Sequence, residues 1–249
     1  MALALASQVH GQQSLFNMPP YLSREAVPDS LKIDPPPPAP GSAAEARDKE
    51  AQKAALKLQG TARFALAARD ADLASARATG AFSCAAGLDI SPTTTPKIDA
   101  LLRRSMREFG MASAPTKQKY MRMRPFVLNG KPTCTPEQEA VLRSNGSYTS
   151  GHSGIGWGWS LVLAEVFPDR TAELIARGRA FGDSRRICNV HWLSDVEQGQ
   201  VVASAVFARL QSEPSYQADL AAAREEAKAL KGQHVPAACD VESATLAKR

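Results

Sequence analysis

Apolar positions along this chain recur at three- and four-residue spacing for most of its length, and alternating runs of the kind that mark strands are nearly absent. The helical pattern begins at Gly41. Ser42-Ala43-Ala44-Glu45 reads as a capping box and predicts a helix running to Gly60. A second helix is expected from Thr61 to about Leu73, while residues 74 to 94 read as loose because they carry Gly80, Gly87 and Pro92. Thr95-Pro96 then launches a helix through Ile98, Leu101, Leu102, Met106 and Phe109 to Gly110. Another spans Ala114 to Met123 and exits at Arg124, since Pro125 disfavours helical geometry in the residue before it. Thr135-Pro136-Glu137-Gln138 starts a helix that stops near Asn145-Gly146. A Gly/Ser loop from Ser144 to Gly154 gives way to an apolar run, Ile155 to Phe167, expected as a fully buried helix. Further helices follow at Arg170 to Asp183, Trp192 to Leu210 and Ser215 to Leu230.

The sum is an all-α, single-domain helical bundle of about eight helices over residues 41–232. Residues 1–40 form an extended lead-in ending in Asp34-Pro35-Pro36-Pro37-Pro38-Ala39-Pro40, because a proline run cannot be helical. Residues 233–249 are expected to be a flexible C-terminal tail.

Composition agrees with helix: alanine and leucine dominate the 44% hydrophobic residues and aromatics are only 6%. The net charge of +5 is scattered rather than massed with aromatics, which favours small anionic ligands over a nucleic-acid polymer. No stretch approaches the roughly 20 apolar residues of a membrane span. Residues 1–6 read as the remnant of a secretory signal, with an ordinary unstructured terminus as the alternative. Cys84, Cys134, Cys188 and Cys239 lack CxxC spacing. In an exported protein they would form one or two disulfides, and spacing does not choose the pairing.

Three clusters carry chemistry. Lys117 and Arg124, seven residues apart, are expected on one face of one helix, where two cations can grip one oxyanion. Ser150-Gly151-His152 opens the buried helix, whose N-terminus offers free amides, with the serine as a further donor and the histidine as a general acid. Ser184-Arg185, His191 and Asp195 add a third cation, a nucleophile and a carboxylate one turn on that orients the imidazole. Each cluster alone reads as well as a solvated face or a satisfied core histidine; together they describe an oxyanion cage with one histidine facing another.

Lys117-x6-Arg124-Pro125, Ser150-Gly151-His152 and Ser184-Arg185-x5-His191-x3-Asp195 resemble the three signature motifs of the type 2 phosphatidic acid phosphatase superfamily, which includes the vanadium haloperoxidases. Their flanks, KYMRMRPF, NGSYTSGHSGIGW and SRRICNVHWLSDV, are similar to the class A bacterial non-specific acid phosphatases, and the likeness extends from Pro35 to about Tyr216. The resemblance implies a periplasmic or secreted phosphomonoesterase that needs no cofactor and no metal and works as a homo-oligomer, with phosphate or vanadate as site ligands. It implies that His191 forms a phosphohistidine, Asp195 orients it and His152 protonates the leaving alcohol. Lys117, Arg124, Arg185, Ser150 and the Gly151 amide would hold the phosphoryl oxygens. Thr149 stands where the family's motif has proline, which is expected to soften the loop. A haloperoxidase or a lipid phosphatase on the same fold is the alternative. A metal-binding protein using His191 and Asp195 lacks a third ligand at metal-like spacing.

Overall fold

The computed structural model describes residues 19–234, 236–237 and 239–247, and every regular element among them is helical. In chain order these are α1 (Ser30–Ile33), α2 (Ala43–Leu56), α3 (Ala62–Asp70), α4 (Ser83–Ala86), α5 (Pro96–Met111), α6 (Ala114–Tyr120) and α7 (Pro125–Asn129). They continue with α8 (Glu139–Arg143), α9 (Gly151–Val166), α10 (Thr171–Ile187), α11 (Leu193–Leu210), α12 (Pro214–Ala229) and α13 (Cys239–Ala247). This exceeds the expected eight, because α1, α4 and α7 are pieces of four or five residues and α13 lies in the expected tail. Such pieces are too short to show apolar periodicity in a sequence.

Helix α9 is the axis of the bundle. It packs against α5, α10 and α11, and Trp159, Val162 and Leu163 are fully enclosed. Its neighbours come close because small residues line it: a Cβ on Gly156 would lie 2.1 Å from the Phe181 ring of α10. Phe82, Trp159 and Phe181 form an aromatic cluster across this junction. The main core adds Ile98, Leu101 and Leu102 of α5, Val202 and Val206 of α11, and Tyr216 and Leu220 of α12.

Four expectations need correction. Residues 19–40 are not a plain extended lead-in: Tyr21 and Leu22 are buried, both backbone amides donate to the Glu108 carboxylate, and the buried Ser30 opens a helical turn. The segment from Pro35 to Ala39 does remain without regular structure. Residues 239–247 are helical rather than a loose tail. A Cys84–Cys239 disulfide ties α13 to α4, and Glu242 accepts from Arg177 of α10, anchors that apolar periodicity does not register. A second disulfide, Cys134–Cys188, fixes the loop after α7 to the end of α10.

The buried helix starts at Gly151 rather than Ile155, because the Ser150 hydroxyl caps it by accepting from the Ser153 amide. Finally, α6 ends at Tyr120, so Lys117 and Arg124 do not share a helix. Met121 is left-handed at φ 41° and Arg124 is extended, as the residue before a proline must be. The calls that fall on residues 1–6 lie outside the described residues.

Candidate active site

The three sequence clusters meet at one cavity of about 760 Å³, whose floor is made by Lys117, Arg124, Gly151, His152, Arg185 and His191. His191 sits in the tight turn between α10 and α11. That turn is fixed by Asn189, left-handed at φ 62°, whose buried amide exchanges hydrogen bonds with Asn129 and accepts from Gln52. Asp195, in the first turn of α11, accepts from the Trp192 amide at 2.8 Å and lies 3.3 Å from His191 Nδ1.

On the other side of the imidazole, Nε2 lies 3.0 Å from Arg124 Nη1. A guanidinium can only donate, so Nε2 is the bare nitrogen and Nδ1 carries the proton toward Asp195. The lone pair therefore faces the cations. Burial, and then the neighbouring Arg124 and Lys117, pushes the His191 pKa well below its ordinary value, which keeps the ring neutral.

Arg124 and Arg185 are buried and Lys117 is half-buried, and none of the three pairs with a carboxylate among the described residues. Besides His191 Nε2, Arg124 is held by carbonyl oxygens, those of Leu142, Asn145, Gly146 and Val190. Lys117 Nζ donates to the Gly146 and Ser147 carbonyls. Arg185 is 3% exposed, and its Nε and Nη1 have no partner at all. Burial lowers all three, and the Arg124 charge adds to it at Lys117 and Arg185: Lys117 falls to about 7, Arg124 to about 10 and Arg185 to about 9. Buried donors are ordinarily satisfied, so two orphaned guanidinium nitrogens aimed at a cavity mark the place of an anion.

His152, in the first turn of α9, hydrogen-bonds through Nε2 to the Asp70 carbonyl at 2.7 Å and stacks on Phe181. A carbonyl only accepts, so Nε2 carries a proton and Nδ1 is left for proton transfer. Burial and the Arg185 charge hold the His152 pKa well below its ordinary value. An anion bound to Arg185 removes the second of those causes. Gly151 is required by space: a Cβ there would lie 2.6 Å from Ser113 Oγ and 3.0 Å from the Gly110 carbonyl. Ser150 is placed differently from the expectation. Its hydroxyl is engaged with the Ser153 amide and hydroxyl behind the cavity wall, so its local role is that of a cap.

The loop carrying these residues is not slack at Thr149. The Thr149 amide donates to Thr116 Oγ1, the two hydroxyls are 3.2 Å apart, and Thr116 also bonds Ser30 of α1. A buried three-hydroxyl chain thus fixes the position where proline was expected to do so.

Sequence reasoning missed the supporting shell. Arg122 donates to Asp195 Oδ1, Ser194 and Asp48, and Asp48 in turn accepts from the Ser194 amide and hydroxyl. Behind His152 and Arg185, Asp70 takes a two-pronged salt bridge from Arg177 and a bond from Ser184, to which Arg63 also donates. The only sequence signal was a pair of arginines flanking Met123 just before a proline; nothing pointed to Asp48 or Asp70.

A floor of two histidines and three cations without a carboxylate partner, on an all-helical scaffold, is the equipment of a phosphoryl-transfer site. The chain matches the PAP2 superfamily over residues 105–212, the span that contains every floor residue. It is 41% identical over 212 residues to a non-specific acid phosphatase of Providencia stuartii, covering 85% of this chain and 86% of that protein. It is 43% identical over 208 residues to a non-specific acid phosphatase of Salmonella typhimurium, covering 83% of each. An acid phosphatase of Zymomonas mobilis is 38% identical over 84% of this chain and 79% of its own. The chain belongs to the class A bacterial acid phosphatases of the PAP2 superfamily, and it is an acid phosphatase.

Proposed function

We propose that this enzyme hydrolyses small phosphomonoesters through a phosphohistidine, with fixed cations supplying the charge stabilisation that metal ions supply in other phosphatases. The observation that carries this reading is Arg185: a buried guanidinium with two unpartnered nitrogens, beside a histidine whose lone pair faces the same space.

In the first step His191 Nε2 attacks phosphorus, a P–N bond forms and the ester P–O bond breaks. His152, charged once the phosphoryl dianion offsets Arg185, gives its Nδ1 proton to the leaving alkoxide. In the second step His152 takes a proton from water, the resulting hydroxide attacks phosphorus, the P–N bond breaks and orthophosphate leaves. Lys117, Arg124, Arg185 and the Gly151 amide hold the equatorial oxygens throughout. Asp195 keeps Nδ1–H in place and balances the charge that develops on the imidazole. Vanadate, a trigonal-bipyramidal mimic, fits the same cage.

Two disulfides support an oxidising compartment, and with it the periplasmic or secreted location. Hydrolysis of p-nitrophenyl phosphate in excess EDTA, followed from pH 4 to pH 9, tests the reading. Activity that persists in EDTA and falls on the alkaline side supports it; activity abolished by EDTA and restored by a metal overturns it.

A further inference from the structure

The phosphoryl group fills only the floor of the cavity. A volume of about 760 Å³ lies within the roughly 300–1,000 Å³ range of sites that enclose a whole drug-sized ligand, so the remaining space receives the rest of the substrate. One wall is made by α5, from which Met106, Gly110 and Met111 line the space, with Ile155 of α9 packed where a Gly110 side chain would stand. Leu73 and Leu142 close the opposite side.

This upper part is predominantly apolar. Of the arginines beside it, Arg103 is tied to Asp99 and Arg104 to Asp219; Arg107, Gln138 and Asn145 add polar groups to the lining, and no carboxylate lines it among the described residues. Against the apolar wall a polyhydroxyl body would give up water without a replacement, whereas an alkyl or aryl body loses nothing there. Methionine is unbranched and polarisable, so Met106 and Met111 can close on bodies of different shape.

Resting on the phosphomonoesterase reading above, we propose that this space is a leaving-group site for an apolar alcohol, alkyl or aryl, and that Met106 and Met111 set the preference for it. The substrate class follows: phosphomonoesters whose carbon body is buried against α5 rather than hydrogen-bonded at the mouth.

A series of n-alkyl phosphates from ethyl to hexyl tests this, because the leaving-group acidity barely changes along it while the apolar body grows. The kcat/KM is expected to rise about 2- to 4-fold per methylene until the wall is covered, and ethyl phosphate to be preferred over glycerol 2-phosphate. In Met106→Ser/Met111→Ser the slope per methylene drops toward zero. Should the double variant not fold, Met111→Ser alone, at a 39% exposed position, is expected to halve the slope. Calorimetry with the matching n-alkylphosphonates reads the same slope as affinity without turnover. A flat series in wild type, or a slope untouched by the substitutions, overturns the leaving-group site while methylphosphonate still binds. Failure of every phosphonate to bind overturns the phosphate cage itself, and this inference with it.

Discussion

Helix α10 carries two buried arginines eight residues apart that live opposite lives. Arg177 is satisfied: its guanidinium forks onto Asp70, its Nε donates to Glu242, and these partners outweigh its burial to hold its pKa above the ordinary value. Arg185 is equally buried and has no carboxylate, two of its nitrogens are unpaired, and burial with Arg124 nearby pulls it down to about 9. The same residue type on the same helix thus serves the fold at one position and stores an unmet demand for an anion at the other. A buried charge left unpaired costs stability, and the structure concentrates that cost around His191.

Substitution should separate the two positions. Arg177→Met strands the Asp70 carboxylate and is expected to lower stability by about 3–5 kcal/mol in denaturant unfolding. Arg185→Met removes a charge that lacked a partner, so stability should hold or rise while kcat/KM falls about 10²- to 10³-fold. Loss of stability at Arg185 comparable to that at Arg177 would erase the distinction.

Anion binding sharpens the contrast. Sulfate is a tetrahedral dianion across the neutral range, and Lys117, held at about 7 by burial and by Arg124, takes up a proton when a dianion binds beside it. Sulfate affinity is therefore expected to weaken as pH rises through 7, by up to about tenfold per pH unit, with proton uptake visible as a buffer-dependent binding enthalpy. An affinity independent of pH between 6 and 9 would contradict this coupling.

The smallest expected effect concerns an unpaired group of the other sign. Asp34 is buried with both carboxylate oxygens unpartnered, and burial raises it to about 7. A carboxyl raised in the folded state binds its proton more tightly there, so stability falls as pH climbs from the ordinary carboxylate range to about 7 and is level above. Asp34→Asn should raise stability at pH 8, read in denaturant unfolding, by no more than about 1 kcal/mol once solvent screening is counted, and match wild type at pH 4.

The contrast between Arg177 and Arg185 also shows where sequence reading stops. The floor residues were legible because their clusters are local: Ser150-Gly151-His152 marks a helix start, and His191 and Asp195 are one turn apart. The long helices were legible from apolar spacing. Arg177 was not singled out, since its partners Asp70 and Glu242 are 107 and 65 residues away. The Lys117–Arg124 pair was brought to the right place for the wrong reason: they meet across the break after Tyr120, not along one helix face. Thr149 looked like a loss of rigidity because its hydroxyl partner, Thr116, is 33 residues earlier.

The central claim is that the unmet charge around His191 exists to bring a phosphoryl group onto its Nε2. Rapid quenching into alkaline detergent with a labelled phosphomonoester tests it most directly, comparing wild type with His191→Ala. Acid-labile label on His191 in wild type, absent from the variant, is the expected result; label retained on histidine in His191→Ala would contradict it.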